Sequence, residues 1–262
     1  MSETIVAVVA HPDDESLIAG GTLALAAAAG ADTGVVSLTR GENGPAAGTG
    51  GGDGASLGDV REREFAAAAR TLGTRFAACL RHPDGALEWA DHRAIARELV
   101  DLLAPSRPTA VLTFGEDGLY WHHDHIATRA VVGMAVELLE RDAGAPRVWI
   151  YEAAWREEVV TGLVVAARER GLPSDLWGIA PEAFGSSREG AVVAVDVEDV
   201  VGRKLAALRA HRSQLGPDHL LSVLPDDLAR RFLGEEEWRV ARRAGRGHGP
   251  IGRLLGERRS DG

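Results

Sequence analysis

Two clusters of residues have the types and spacing to do chemistry. The first is His11-Pro12-Asp13-Asp14-Glu15, an imidazole among carboxylates. Nitrogen and oxygen donors set this close together suit a hard-to-borderline divalent cation. The same acids also read as an acidic helix start, with Asp13 as the cap and the carboxylates favouring the helix dipole. His82-Pro83-Asp84 repeats the tripeptide, so the first cluster decides nothing by itself. The second is Tyr120-Trp121-His122-His123-Asp124-His125. Histidines packed this densely are seldom core filling, and His122 and His125 share one face if the segment is helical. Together the clusters offer two His and one Asp to a metal with an open position. A carboxylate and an imidazole are left over for proton transfer.

These clusters need a scaffold that brings them together. Thr4–Ala10 is an apolar, β-branched run without alternation, which predicts a strand buried on both faces, as in a parallel sheet. Further strands are expected over 32–38, 75–80, 109–113 and 147–151. Helices are expected over 15–29, 59–72, 91–103 and 123–141, the second of them capped by Asp59 and ended by Gly73. This alternation is that of an α/β fold, a Rossmann-like, mostly parallel open sheet flanked by helices. Each cluster directly follows a strand, and ligands of open sheets bind outside the carboxyl ends of the strands. The two can therefore converge.

Residues 152–244 are less regular. A strand over 191–197, a helix over 200–211 and a strand over 236–242 are expected, and the Gly/Arg-rich stretch 245–262 reads as a loose tail. The whole chain, 1–262, is read as a single domain with its core in about the first 151 residues. Gly41–Gly58, with GTGGGDG at its centre, is too long for a plain connector and reads as a mobile substrate loop. It lacks the phosphate-binding Gly-x-x-x-x-Gly-Lys-Ser/Thr pattern.

The residues also carry a resemblance. AHPDDE (Ala10–Glu15), TRGE (Thr39–Glu42) and His-x-Asp-His (His122–His125) resemble the motifs of the LmbE/PIG-L family of zinc-dependent N-deacetylases. The Arg61–Glu64 helix, the Pro83-Asp84-Gly85 turn and the stretch from Lys204 to His211-Arg212-Ser213-Gln214 match further landmarks. The resemblance implies one Zn2+ per chain on His11, Asp14 and His125, with Asp13 as the general base. It implies that His122 stabilises the oxyanion or protonates the leaving amine and that Asp124 orients it. Tyr120 falls where mycothiol-pathway members have a mobile tyrosine, and Arg40 and Asp84 fall where family members bind sugar hydroxyls. His123 stands where the family usually has Pro, which leaves the acid role between His122 and His123. The implied activity is removal of an N-acetyl group from a small molecule containing an amino sugar, such as an N-acetylglucosaminide. A mycothiol S-conjugate amidase and a glycopeptide or antibiotic deacetylase are alternatives within the family. A metal-dependent phosphoesterase and an inactive sugar-binding module lie outside that chemistry.

Composition narrows the partners. With 29 Lys+Arg against 39 Asp+Glu, the formal net charge is −10, which disfavours nucleic acid and anionic membrane surfaces. Hydrophobic residues at 45% suffice for a sizeable core, yet no apolar run reaches the ~18 residues of a membrane span. The first residues lack a basic leader, so the cytoplasm is the expected compartment. The single cysteine, Cys79, excludes an intramolecular disulfide and reads as core. His82, His92, His219 and His248 read as surface or loop histidines. Trp149 and Trp155 read as core or pocket lining.

Overall fold

In the computed structural model, which describes residues 3–47, 55–141, 145–185, 192–247 and 249–254, the first apolar run forms β1 (Thr4–Val9), buried at every position. Then come α1 (Asp14–Ile18), α2 (Gly20–Ala28), β2 (Asp32–Thr39), α3 (Leu57–Leu72), β3 (Phe76–His82) and α4 (His92–Leu103). β4 (Ala110–Thr113), α5 (Gly118–Trp121), α6 (His123–Leu139), β5 (Trp149–Ala153) and α7 (Glu157–Glu169) follow. The remainder holds β6 (Val192–Asp196), α8 (Val201–Leu208), α9 (Leu220–Val223), α10 (Asp226–Leu233), β7 (Glu235–Arg242) and α11 (Gly249–Leu254).

The strands make one sheet of seven in the order β3-β2-β1-β4-β5-β7-β6. β3, β2, β1, β4 and β5 run parallel, and β7 then pairs antiparallel with both β5 and β6. The expected α/β sheet flanked by helices is therefore the observed one. Its central strands hold Ile5, Val6, Val8, Val111 and Leu112 at 0% exposure. Each such side chain contributes roughly 1.5–3 kcal/mol by leaving water. β1 lies between β2 and β4, where the strand order reverses direction. That switch point opens the crevice in which doubly wound sheets bind ligands.

Three local expectations differ from the structure. The helix expected over 15–29 breaks at Ala19. The reason lies far along the chain: the buried Glu236 carboxylate of β7 accepts from the backbone N–H groups of Gly21 and Thr22, 2.8 Å each, and gives α2 a helix start of its own. Lys204 Nζ neutralises that carboxylate at 2.7 Å. The cap of α3 is Ser56, not Asp59: the Ser56 hydroxyl accepts from the Asp59 N–H while the Asp59 carboxylate reaches back, a capping box. The expected loose tail begins with structure, since residues 249–254 form α11. Residues 255–262, and 48–54 of the Gly-rich loop, lie outside the described residues.

Candidate active site

The two clusters meet at the switch point. His11 and Asp14 follow β1, and the segment after β4 carries His122, Asp124 and His125 into the first turn of α6. His11 Nδ1 lies 3.3 Å from Asp14 Oδ2 and 3.3 Å from His125 Nε2, and His125 Nε2 lies 3.4 Å from Asp14 Oδ1. A tetrahedral zinc site with bonds of roughly 2.0–2.1 Å has ligand-to-ligand edges of roughly 3.3–3.4 Å. The two contacts to Asp14 end on its different oxygens, so the three side chains bring donor atoms together at about the spacing of zinc ligands. His122 also brings a ring nitrogen within 4.8 Å of His11 and His125. Donor atoms of His11, Asp84 and Asp124 likewise lie within 4.8 Å of one another, and of these three groups the one with Asp14 offers two imidazoles and one carboxylate.

The surroundings fix these donors. His125 Nδ1 is 3.0 Å from the Gly118 carbonyl, so its N–H points there and Nε2 is the free donor atom. Phe114 stacks on the ring of His125 at 3.9 Å. The His11 backbone N–H donates to Asp14 Oδ2 at 2.9 Å. The other ring nitrogen of His11, Nε2, faces Asp84 Oδ1 at 3.1 Å and Asp124 Oδ2 at 3.3 Å. Burial opposes protonation of His11, yet Asp124, Asp14 and Asp84 together hold its pKa well above the ordinary value. Asp14 is held well below the carboxylate range: burial works against this, and His125 and His11 outweigh it. A cluster this rich in buried carboxylates calls for a cation, and its donor set fits zinc.

Asp13 has φ +116°, a conformation that costs an L residue about 1–3 kcal/mol. Arg61 of α3, 3% exposed, holds it from the side. Its Nη2 donates to the Pro12 carbonyl at 2.6 Å and to Asp13 Oδ2 at 3.2 Å, and its Nη1 to the Gly41 carbonyl at 2.9 Å. A Cβ on Gly41 would run into that guanidinium, which accounts for the glycine of the TRGE stretch. Burial pushes Asp13 up to about 6, with Arg61 pulling the other way.

Some expected pairings are not made. Asp124 does not orient the His122 ring with its carboxylate, which turns to His11 and accepts from the N–H groups of Gly85 and Leu87 at 2.8 and 3.0 Å. It is the backbone N–H of Asp124 that donates to His122 Nδ1, at 3.2 Å, because His122 caps α6. That bond places the proton of the neutral ring on Nε2. Burial, with His125 and His11, pushes His122 down to about 4, which favours the neutral ring. The side chain of His123 is 72% exposed and pairs with Glu88 at 2.7 Å. Arg40 pairs with Asp59 at 2.9 Å and does not line the cavity. Asp84 does line it, held by Asn43, whose backbone and side-chain N–H groups each donate to it at 2.8 Å.

The cavity over this cluster measures about 460 Å³. His11, Asp13, Asp14, Arg61, Asp84 and His122 form its polar part, and Leu17, Pro45, Tyr120, Trp177 and Ile179 its apolar part. The Tyr120 ring stands edge-on to His125 at 5.2 Å, and burial raises its pKa. Arg61, Trp177, Ile179 and Gln214 line the cavity without having been singled out as site residues. Arg61 and Gln214 lie in the family-like stretches, but nothing in the sequence marks Trp177, which is left-handed at φ +55°. Its ring leans on His219 at 4.4 Å. His219 is buried rather than a surface histidine. Trp149 is buried against Tyr151, and Trp155 stacks on Phe184 outside this cavity. Cys79 is half-buried in β3, its thiol pushed up to about 12 by burial. Among the described residues, no helix is long and apolar enough to cross a membrane.

A doubly wound open sheet with a His/Asp cluster at its switch point is the class that fold and site define. The chain belongs to the PIG-L family, whose model, described as GlcNAc-PI de-N-acetylase, matches residues 6–136. It is 35% identical over 237 residues to a 1D-myo-inositol 2-acetamido-2-deoxy-alpha-D-glucopyranoside deacetylase of Corynebacterium glutamicum, covering 80% of this chain and 74% of that one. A deacetylase of the same description from Rhodococcus opacus is 33% identical over 296 residues, covering 100% and 96%. Among solved structures, a conserved protein of Thermus thermophilus, TT1542, superposes with a TM-score of 0.61 at 25% identity, covering 95% of this chain and 98% of that one.

Proposed function

We propose that the protein is a zinc-dependent N-deacetylase of the cytoplasm, with one metal per chain, that hydrolyses the acetamide of a small amino-sugar substrate. The first candidate is the N-acetylglucosaminyl-inositol named for its relatives. The observation that carries this reading is the triangle of His11 Nδ1, Asp14 and His125 Nε2, with Asp13 beside it in the same cavity.

A zinc ion on those three ligands would supply Lewis acidity to the amide carbonyl and ease deprotonation of water. The residues do the rest. Asp13, with Oδ2 held by Arg61, accepts the proton of the attacking water. His122 donates from Nε2 to the oxygen on which charge develops, as a neutral ring whose tautomer the Asp124 N–H fixes. Asp13 then passes its proton to the departing amine, and acetate leaves. Asp84 and Asp124 act behind His11, fixing its ring for the metal, as outer carboxylates do at zinc sites. Tyr120, Trp177 and Ile179 shape the space for the sugar and its aglycone.

Acetate release from N-acetylglucosaminyl-inositol, free N-acetylglucosamine and an N-acylated glycopeptide tests the proposal. Turnover of at least one should vanish with a chelator and return with zinc. Phosphate release from a phosphoester in place of acetate would sink it.

A further inference from the structure

The backbone of Asp13 is tied to a buried chain that begins in the C-terminal third. Its N–H donates to Glu15 Oε2 at 3.0 Å. The other oxygen, Oε1, accepts from His211 Nε2 at 2.9 Å and from the Ser16 hydroxyl. Both side chains of the Glu15–His211 pair are 0% exposed. His211 follows α8, 196 positions beyond Glu15. Its segment is clamped again at Ser213, whose N–H and hydroxyl donate to Glu64 of α3 at 2.9 and 2.6 Å. The same helix supplies Arg61 to the Asp13 carboxylate.

A carboxylate taken wholly out of water is costly, and a hydrophobic pair would fill the space without that cost. The polar pair instead makes one bond that an apolar pair could not, to the N–H of a residue at φ +116°. An L residue persists there only where its surroundings over-determine it.

We propose that Glu15 and His211 are positioning residues for Asp13. His211 orients the Glu15 carboxylate, Oε2 of Glu15 fixes the Asp13 N–H, and the direction in which the Asp13 side chain enters the cavity follows. This rests on the reading of Asp13 as the base of the proposed deacetylation. Neither residue lines the cavity.

The test compares His211→Leu with His211→Gln, whose amide still has an N–H to give Glu15. His211→Leu should lower kcat about ten- to hundredfold, the scale of a slightly misplaced catalytic group, with KM and bound zinc close to wild type. His211→Gln should recover most of the loss. A crystal structure of the Leu variant gives a readout independent of turnover: Asp13 should leave its positive φ. Unchanged kcat in His211→Leu, zinc and kcat lost together, or Asp13 unmoved in that crystal structure would each overturn the inference. If His211→Leu does not fold, Glu15→Met takes its place, since a thioether of similar length offers the Asp13 N–H no carboxylate oxygen. The expected result is again lower kcat with zinc retained, and wild-type kcat overturns the inference. Should the wild-type protein release acetate from no amino sugar, the deacetylase reading falls, while the position of Asp13 in the variant crystal still decides this one.

Discussion

Asp124 Oδ2 lies 3.3 Å from Nε2 of His11, the ring nitrogen turned away from the cluster that Nδ1 forms with Asp14 and His125. A carboxylate in that position fixes the ring and raises its basicity toward a metal. Asp124→Ala should therefore weaken zinc affinity by roughly 10–100-fold, read by competition with a chromophoric chelator. Unchanged affinity with a lower kcat would return Asp124 to the service of His122.

His125 is fully buried, with one ring nitrogen committed to the Gly118 carbonyl and the other to the triangle. His125→Ala should strip most of the metal and with it the activity. Elemental analysis showing a full complement of zinc in that variant would remove His125 from the ligand set.

In the proposed mechanism Asp13 moves a proton and does not hold the metal. Asp13→Asn should keep zinc and lose about 10²–10⁴ in turnover. Loss of zinc along with turnover would make Asp13 a ligand.

His122 faces the cavity and His123 faces solvent. His122→Ala should lower kcat by about 10²–10³, as the loss of one oxyanion donor does. Because burial and its neighbours push His122 down to about 4, its ring is neutral at ordinary assay pH, and the variant should keep the wild-type pH profile on the alkaline side. His123→Ala should change kcat by less than about tenfold, or ~1.4 kcal/mol of barrier. The reverse ranking would make His123 the donor.

His219, buried beneath Trp177, is pushed down from 6.5 to about 4 by burial. Above pH 6.5 neither folded nor unfolded chain protonates it. As the pH falls from 6.5 toward 4, the unfolded chain takes up a proton that the folded one refuses, and stability is lost, by at most roughly 3 kcal/mol. His219→Asn keeps a side-chain acceptor for the Leu221 N–H and does not titrate. Urea midpoints between pH 7 and about 4 should fall less steeply in the variant. Parallel slopes would clear His219 of the effect.

Much of this was legible in the sequence because the signals are local. The β-branched runs without alternation signal the parallel strands, and the dense polar clusters behind the first and fourth strands signal the His/Asp cluster that the sheet brings together. What was hidden depends on residues distant in sequence. The break at Ala19 is made by Glu236, and no local propensity records a carboxylate arriving from β7. The same holds for Asp124, which lies near His122 in sequence but faces His11 in space. Arg40 matched a sugar-binding position, yet Asp59 draws its guanidinium aside. Trp177 enters the cavity from a left-handed residue, which hydrophobic periodicity cannot signal.

The place of β7 in the sheet has a consequence for biosynthesis. Among the described residues, β7 is an interior strand that pairs with β6 on one side and β5 on the other. A chain leaving the ribosome completes β5 at Ala153 and must wait for residues 154–234 before the strand that covers it appears. At about 5–20 residues per second that is roughly 4–16 s. Throughout it, the apolar edge Trp149–Ala153 stands open to any other extended chain. A stop before Glu235 would leave that edge of β5 without its strand partner for good.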